Sequence, residues 1–161
     1  MPISLRPVSP EDFDLVCHIQ VEADQILFSG TVAQAFAANE EGVDFHAILD
    51  HDRPDHDRPV GFFKLDWLFH QQYGFAQANE LGLRAFMIDR RHQGRGVATA
   101  AVRTLKSYIP GLYPSHKAVV LTVNMQNVPA IRCYKAGGFV DTGDIYPHGM
   151  AGPQHIMRLD L

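Results

Sequence analysis

The glycines, arginines and helix start in one short segment have the types and spacing that bind a phosphate. The segment is Ile88-Asp89-Arg90-Arg91-His92-Gln93-Gly94-Arg95-Gly96-Val97-Ala98, with a predicted strand before it and a predicted helix after it. Gly94 and Gly96 let the backbone turn tightly and approach a ligand with no Cβ in the way. The first N–H groups of the helix have no partner within it and lie at its positive end, which suits a pyrophosphate.

Two common nucleotide-binding patterns fit these glycines poorly. A Walker A loop continues with Gly-Lys-Ser/Thr, but Val97 and Ala98 follow Gly96 here. A dinucleotide-binding fingerprint has Gly or Ala where this chain has Thr99, and it follows an early first strand, whereas this segment lies past mid-chain. Taken alone, the glycines are equally compatible with a strand-to-helix turn that needs glycine only for its geometry.

A second motif links the glycine-rich segment to a known family. It reads Asn124-Met125-Gln126-Asn127-Val128-Pro129-Ala130-Ile131-Arg132-Cys133-Tyr134-Lys135-Ala136-Gly137-Gly138-Phe139. This run resembles the N-x-x-N-x-x-A-x-x-x-Y-x-x-x-G-F pattern of the GCN5-related N-acetyltransferase (GNAT) superfamily. Residues 93–98 are similar to the Q/R-x-x-G-x-G/A loop that binds the acyl-CoA pyrophosphate in that family. Arg90 stands where the family often has proline, which changes only the stiffness of the turn.

The resemblance implies an enzyme that moves the acetyl group of acetyl-CoA directly to an amine, with no metal. It implies that the cofactor pyrophosphate is held by Gln93, Gly94, Arg95, Gly96, Val97 and Ala98. In the family, the strand before this loop has a bulge and separates from the next parallel strand, here 118–123, so that exposed backbone binds the pantetheine arm. A backbone N–H near Met87, with Phe86 and Ile88 as its neighbours, would stabilise the oxyanion of the thioester carbonyl.

Two residues of the second motif are candidates for contact with the cofactor. By resemblance, Tyr134 is the general acid that protonates the departing thiolate, and a phenol with a pKa of about 10 is protonated at neutral pH. By spacing alone, Tyr134 is more often a core aromatic packed with Cys133 and Ala130. By resemblance, Asn127 hydrogen-bonds the cofactor arm, and it also suits the N-cap of the next helix. The two roles of Asn127 are compatible.

The general base must accept a proton from the acceptor ammonium, and its identity is the most open of these assignments. Glu80 opens a predicted strand and shares a face with Phe86 and Ile88, which fits the acidic base of some relatives. A solvated carboxylate at a strand end explains Glu80 equally well. Asp66 and His70, near the end of the preceding strand, are lesser candidates, and deprotonation through water is a further alternative.

The resemblance places the acceptor pocket at about residues 22–31 and 146–153. Glu22 and Asp24 could attract a cationic amine there, or they could be a solvated helix end. We therefore predict acetyl transfer to a primary amine of a small molecule. A protein N-terminus or lysine is the alternative acceptor, and a non-catalytic acyl-CoA-binding regulatory domain is the alternative class. The intact second motif favours catalysis.

Hydrophobic periodicity predicts the elements that position these residues. The order β-α-α-β-β-β-α-β-α-β-β predicts one α/β domain over residues 1–161, with a mixed, mostly antiparallel sheet and a central parallel β-α-β acyl-CoA-binding unit. Pro7 suits an edge strand, a Ser9 N-cap starts the first helix, and Pro110-Gly111 ends the long one. Strict alternation along strand 80–88 predicts two faces: Leu81, Leu83, Ala85 and Met87 on one, and Glu80, Gly82, Arg84, Phe86 and Ile88 on the other.

Composition disfavours several classes of protein. The 161 residues suit one domain, and 46% hydrophobic with 20% charged residues is an ordinary globular composition. A formal net charge of −4 disfavours a dedicated nucleic-acid-binding domain, and no apolar run is long enough to span a membrane. Cys17 and Cys133 lack C-x-x-C spacing and indicate a reduced, cytoplasmic location. A homodimer is left open.

A tandem repeat, Asp50-His51-Asp52-Arg53-Pro54 followed by Asp55-His56-Asp57-Arg58-Pro59, provides two histidines and four aspartates. Its prolines and alternating charges are typical of a solvated hairpin loop, and no ligand spacing in it matches a closed metal site. We therefore expect no metal there.

Overall fold

The computed structural model describes residues 2–161, and its strands form one seven-stranded sheet. The strands are β1 (Ile3–Val8), β2 (Val43–Asp50), β3 (Gly61–Asp66), β4 (Glu80–Ile88), β5 (Ala118–Asn124), β6 (Val140–Tyr146) and β7 (Gln154–Asp160). They lie in the order β1-β2-β3-β4-β5-β7-β6, and only the β4–β5 pair is parallel. The predicted α/β class, the mostly antiparallel sheet with its central parallel pair, and the edge position of β1 are confirmed.

Helices cover both faces of the sheet. They are α1 (Phe13–Val16), α2 (Ile26–Ser29), α3 (Val32–Ala38), α4 (Phe69–Gln72), α5 (Val97–Leu112) and α6 (Val128–Ala136). The apolar stripe of α5 packs into the larger core cluster on one face, while α1 and α3 pack into a second cluster on the other. The single-turn helices α2 and α4 were not predicted, and the remaining element order agrees with the prediction.

The first helix begins later than its sequence indicates. α1 starts at Phe13, because residues Ser9 to Asp12 form a turn in which the Asp12 N–H donates to the Ser9 carbonyl at 2.9 Å. The Ser9 hydroxyl donates to the Glu11 carboxylate, so it does not cap the helix.

The long helix ends later than predicted. α5 continues through Pro110 to Leu112, where the Tyr113 N–H donates to the Ile109 carbonyl at 2.8 Å. Ile109 is fully buried in the core, and the Tyr113 hydroxyl bonds to the β2 residue Asp44. Tertiary packing therefore holds a turn that Pro110 alone would disfavour.

A bulge interrupts β4 beside the centre of the sheet. The register of β3 and β4 shifts between Phe62 and Lys64, so that Phe63 lies opposite two residues, Ala85 and Phe86. Ala85 has a φ of 53°, in the left-handed region that residues with a Cβ rarely adopt. The extra residue interrupts the regular hydrogen-bond pairing of β3 and β4, and bulges of this kind are often found beside functional sites.

The bulge makes the predicted faces of β4 wrong beyond Arg84. One inserted residue moves every later side chain to the opposite face of the strand. Phe86 and Ile88 therefore pack beside α5 with Leu81 and Leu83. Met87 packs on the other face of the sheet, in the cluster beneath α1 and α3.

Candidate active site

The two parallel strands diverge and leave a gap in the middle of the sheet. β4 pairs with β5 at Glu80, Gly82 and the residue between them, and not beyond. A cavity of about 890 Å³ opens where they part, lined by residues 83–88 of β4 and 122–124 of β5. Backbone groups along these two edges lack the strand partner that a continuous sheet would provide, so they can pair with an extended ligand arm. The bulge and the separation implied by the resemblance are both confirmed.

The glycine-rich loop lies along the same cavity, between β4 and α5. Gly94 and Gly96 both adopt left-handed backbone, with φ of 75° and 80°. Gly96 precedes the first turn of α5 and has no side chain to cap it. Gly94, Gly96, Val97 and Ala98 line the cavity, so uncapped N–H groups at the positive end of α5 are available to an anion.

Gln93 holds this loop in place from within. Its side-chain amide donates to the Ile88 carbonyl at the end of β4 and to the Gln25 side chain before α2, both at 2.9 Å. The loop is thereby tied to β4 and to the segment leading into α2, and Gln93 also lines the cavity.

The arginines of the loop contribute less than the sequence indicates. The Arg91 guanidinium donates to the buried carboxylate of Asp89 at 2.8 Å, so it is paired. Arg90 and Arg95 are exposed. Arg95, unlike the loop residues on either side of it, is not among the residues lining the cavity.

Tyr134 reaches the cavity from α6. Its ring packs edge-on against Phe86, with centroids 6.0 Å apart, and against Phe139, at 5.7 Å. Burial, with a smaller contribution from the neighbouring Cys133 thiol, raises the pKa of the Tyr134 phenol above its ordinary value. The phenol is therefore protonated at neutral pH. Burial likewise raises the pKa of the Cys133 thiol, which disfavours the nucleophilic thiolate.

Asn127 also lines the cavity, at the N-terminus of α6. It occupies the N-cap position, but its side chain makes no cap hydrogen bond. Its backbone N–H donates to the Asn124 carbonyl at 2.9 Å. The Asn127 side-chain amide is therefore not committed to capping, and it can bond a ligand in the cavity.

Glu80 lies at the opposite end of β4 from the glycine-rich loop. The side chain is 2% exposed, accepts a hydrogen bond from the Gln77 N–H at 2.7 Å and pairs with Arg158 of β7. It lies six positions before Phe86, about 20 Å along the strand, and it does not line the cavity. A general base must come within hydrogen-bond reach of the proton it takes, so this position does not favour Glu80 as the base, and its role stays a prediction.

The other candidate bases are also outside the lining. Asp66 is buried, and its carboxylate accepts from Arg84 and from the Leu68 N–H. His70 does not line the cavity. Deprotonation through water is the alternative that these positions leave standing.

The two segments predicted for the acceptor pocket both contribute to the lining of the cavity, although the acidic residues expected there do not. Residues 27–30 and 148–151 are part of its lining, whereas Glu22 and Asp24 are not. The lining also includes Lys64, Phe69, Tyr73 and Arg84, to which the sequence assigned no role, and Tyr146 from the second predicted segment. The one available signal was the placement of Lys64 and Arg84 between apolar residues in the interior of their strands.

The tandem repeat forms turns between β2 and β3. The imidazole of His51 contacts the Ser4 hydroxyl at 2.6 Å, and Arg53 pairs with Asp55 at 3.2 Å. Within residues 2–161, no three His, Cys, Asp or Glu side chains gather as metal ligands would. In the same part of the chain, no helix is both long and apolar enough to cross a membrane.

Comparisons with known proteins agree with this geometry. A model described as the acetyltransferase (GNAT) family matches residues 13–139. The chain is 31% identical over 88 residues to the uncharacterized N-acetyltransferase YbbJ of Bacillus subtilis (strain 168), a match that spans 54% of this chain and about half, 55%, of that protein. It is 24% identical over 153 residues to the spermine/spermidine N(1)-acetyltransferase of the same strain, covering 90% of this chain and 92% of that one.

Solved structures show the same fold at low sequence identity. Aminoglycoside acetyltransferase AAC(6')-Ib in complex with coenzyme A superposes with a TM-score of 0.75 at 16% identity, over 99% of this chain and 95% of that one. A spermidine N-acetyltransferase SpeG chimera from Vibrio cholerae and hSSAT gives a TM-score of 0.69 at 16% identity, over 98% and 95% of the two chains.

Proposed function

Because the chain belongs to the GNAT family of acetyl-CoA-dependent acetyltransferases, we propose that it transfers the acetyl group directly to a primary amine of a small molecule. The observation that carries this proposal is the single cavity in which the phosphate loop, the strand gap and Tyr134 meet the acceptor segments. Its volume of about 890 Å³ is in the range of small-molecule sites. Relatives named for polyamines and aminoglycosides also support a small amine.

The acetyl donor would bind along the loop and the gap. N–H groups of residues 93–98 would hold the pyrophosphate, and the free edges of β4 and β5 would pair with the amides of the pantetheine arm. The side chain of Asn127 would bond to the same arm. The backbone N–H of Met87, beside Phe86 and Ile88, would donate to the thioester oxygen as it becomes an oxyanion.

The transfer itself would need few side chains. The free amine attacks the thioester carbon, a C–N bond forms, and the C–S bond breaks. The Tyr134 hydroxyl would give its proton to the departing thiolate, while the attacking nitrogen loses a proton to water. The raised pKa of Tyr134 keeps this acid protonated throughout the neutral range.

The test is a panel of small primary amines incubated with acetyl-CoA. We expect acetyl-CoA to raise the melting temperature and at least one amine to release free CoA thiol, with the acetylated product identified by mass spectrometry. Transfer only to peptide N-termini or lysines would overturn the small-molecule acceptor. Stabilisation without transfer to any acceptor would indicate a non-catalytic acyl-CoA-binding domain, and no stabilisation would contradict donor binding itself.

A further inference from the structure

Two basic side chains lie directly opposite each other in the centre of the sheet. Lys64 of β3 pairs in register with Arg84 of β4, immediately before the bulge. Like charges at directly opposed positions destabilise a strand pair. Lys64 is only 7% exposed, and burial, followed by the nearby Arg84 charge, lowers the pKa of its ammonium. Two cations at these central positions therefore need partners that offset their repulsion and burial.

The carboxylates of Glu40 and Asp66 offset the repulsion between Lys64 and Arg84. Glu40, which follows the left-handed Asn39 at the end of α3, accepts from Lys64 at 3.0 Å and from Arg84 at 3.0 and 3.2 Å. Asp66 accepts from the Arg84 guanidinium at 3.0 Å and from a backbone N–H. Burial opposes ionisation of Glu40, but the hydrogen bonds from Arg84 and Lys64 lower its pKa. Both carboxylates are therefore already engaged by hydrogen bonds within the protein.

Only the cationic half of this cluster lines the cavity. Lys64 and Arg84 are among the lining residues, while Glu40 and Asp66 are not. In the part of the chain that the structure describes, no Asp or Glu lines the cavity. An acceptor with several positive charges would meet two cations there and find no free carboxylate.

The cluster of Lys64, Arg84, Glu40 and Asp66 also has unused hydrogen-bond donors and few free acceptors. The hydrogen bonds described use three of the five guanidinium N–H groups of Arg84 and one of the three ammonium N–H groups of Lys64. The oxygens of Glu40 each already accept at least one bond from these two cations. The complementary ligand group is therefore one that accepts several hydrogen bonds and carries negative charge, such as a carboxylate.

An aromatic wall stands beside these donors. Tyr73 stacks on Phe69 with ring centroids 4.3 Å apart, and Tyr146 packs edge-on against Tyr73 at 5.3 Å. All three line the cavity. Such a wall suits an apolar or aromatic body attached to the anionic group.

We propose that the acceptor is an amine that also carries a carboxylate, of the amino-acid type, with the carboxylate bound by Arg84 and Lys64 and its side chain against Phe69, Tyr73 and Tyr146. This substrate class rests on the proposed function. Arg84 provides the planar fork that a carboxylate matches, and Lys64 provides a second charge. The acceptor thus differs from the polyamines and aminoglycosides named for the relatives.

The test compares pairs of amines that differ only by the carboxylate. L-phenylalanine is paired with 2-phenylethylamine and L-leucine with 3-methylbutylamine, with spermidine as the polycation. We expect kcat/KM to be at least about tenfold higher for the acid in each pair, as loss of hydrogen bonds to a charged group implies. Arg84→Met should abolish this preference by raising KM for the acids alone. Lys106→Met, which removes an exposed charge on α5, should leave it unchanged.

Binding is measured beside turnover to separate the two proposals. Calorimetric titration of N-acetyl-L-phenylalanine and N-acetyl-2-phenylethylamine, in the presence of CoA, reports the carboxylate site without catalysis. Turnover of the simple amines or spermidine at least as fast as the acids overturns the carboxylate acceptor and leaves small-amine acetylation standing. Carboxylate-dependent binding without any turnover supports the site and overturns the proposed function, and no preference in binding overturns the site. If Arg84→Met gains no stability from acetyl-CoA, Lys64→Met replaces it, with the same outcomes.

Discussion

The burial of His46 predicts a measurable loss of folding stability in mild acid. The ring is 1% exposed on β2, stacks on Phe63 at 5.0 Å and meets two hydroxyls on the α5 side, Tyr108 at 2.6 Å and Tyr113 at 3.2 Å. Because the Tyr113 hydroxyl donates to Asp44 at 2.6 Å, it accepts from the Nε2–H of His46. Nδ1 then accepts from Tyr108. Both ring nitrogens are thus used by the neutral imidazole.

The magnitude follows from the pKa of this ring in the two states. Burial lowers the pKa of His46 to about 4 in the folded protein, against the opposing effect of Asp44, while the unfolded chain has about 6.5. The unfolded chain therefore binds more protons between these values, and stability falls as pH falls. Linkage gives a loss of about 2 kcal/mol between pH 7.5 and 5, and about 3 kcal/mol below pH 4.

Urea unfolding at pH 7.5 and 5.0, followed by circular dichroism, measures this loss. The control is His46→Phe, which can still stack on Phe63 and has no proton to bind. We expect the wild-type protein to lose about 2 kcal/mol more than the variant on acidification. His92 and His116, whose pKa values burial also lowers, are present in both proteins and cancel in the difference. Equal losses in the two proteins would refute the reasoning. A fall in activity near pH 5 would then have to come from the catalytic groups and not from the loss of folded protein.

Three further outcomes follow from the site and its supports. Tyr134→Phe should lower kcat by about a hundredfold, in the range of general acid catalysis, without changing the acetyl-CoA Kd; unchanged kcat across the pH range would make the acid assignment wrong. Glu80→Gln should lower the unfolding free energy by up to about 3 kcal/mol, because it removes the buried partner of Arg158 and leaves it only the exposed Asp160, while kcat of the folded enzyme is retained; loss of the acid limb of its pH–rate profile would support Glu80 as the base. Gly96→Ala should raise the acetyl-CoA Kd, because an alanine in this left-handed conformation adds about 1–2 kcal/mol of backbone strain. The control is Gly111→Ala, inside α5 and facing open space, which should leave the Kd unchanged. Equal Kd values in titrations of the two variants would contradict a role for the loop backbone.

The glycine-rich loop, the second motif and most helices and strands could be predicted from the sequence because they depend on local chemistry. Glycines at 94 and 96 are needed where the backbone is left-handed, and the 3.6-residue stripe of α5 reports directly which face is buried. Strand β5 begins with an apolar run, residues 118–121, because both of its faces are covered. These signals depend on a residue and its near neighbours in the chain, so they can be recognised without knowledge of the tertiary structure.

The bulge, the ion pair of Glu80 and the charge of the cavity lining were decided only by the tertiary structure. Alternation along β4 has no local mark of the residue inserted at Ala85, because a bulge is defined against the partner strand. Glu80 became a structural ion-pair member because the fold brings Arg158 to it from 78 residues away. Lys64 and Arg84 face one cavity because β3 and β4 pair in one register, while their carboxylates come from elsewhere. The sequence by itself determined the family and the position of the glycine-rich loop, whereas the charge that lines the cavity arises from contacts between distant residues that no local pattern encodes.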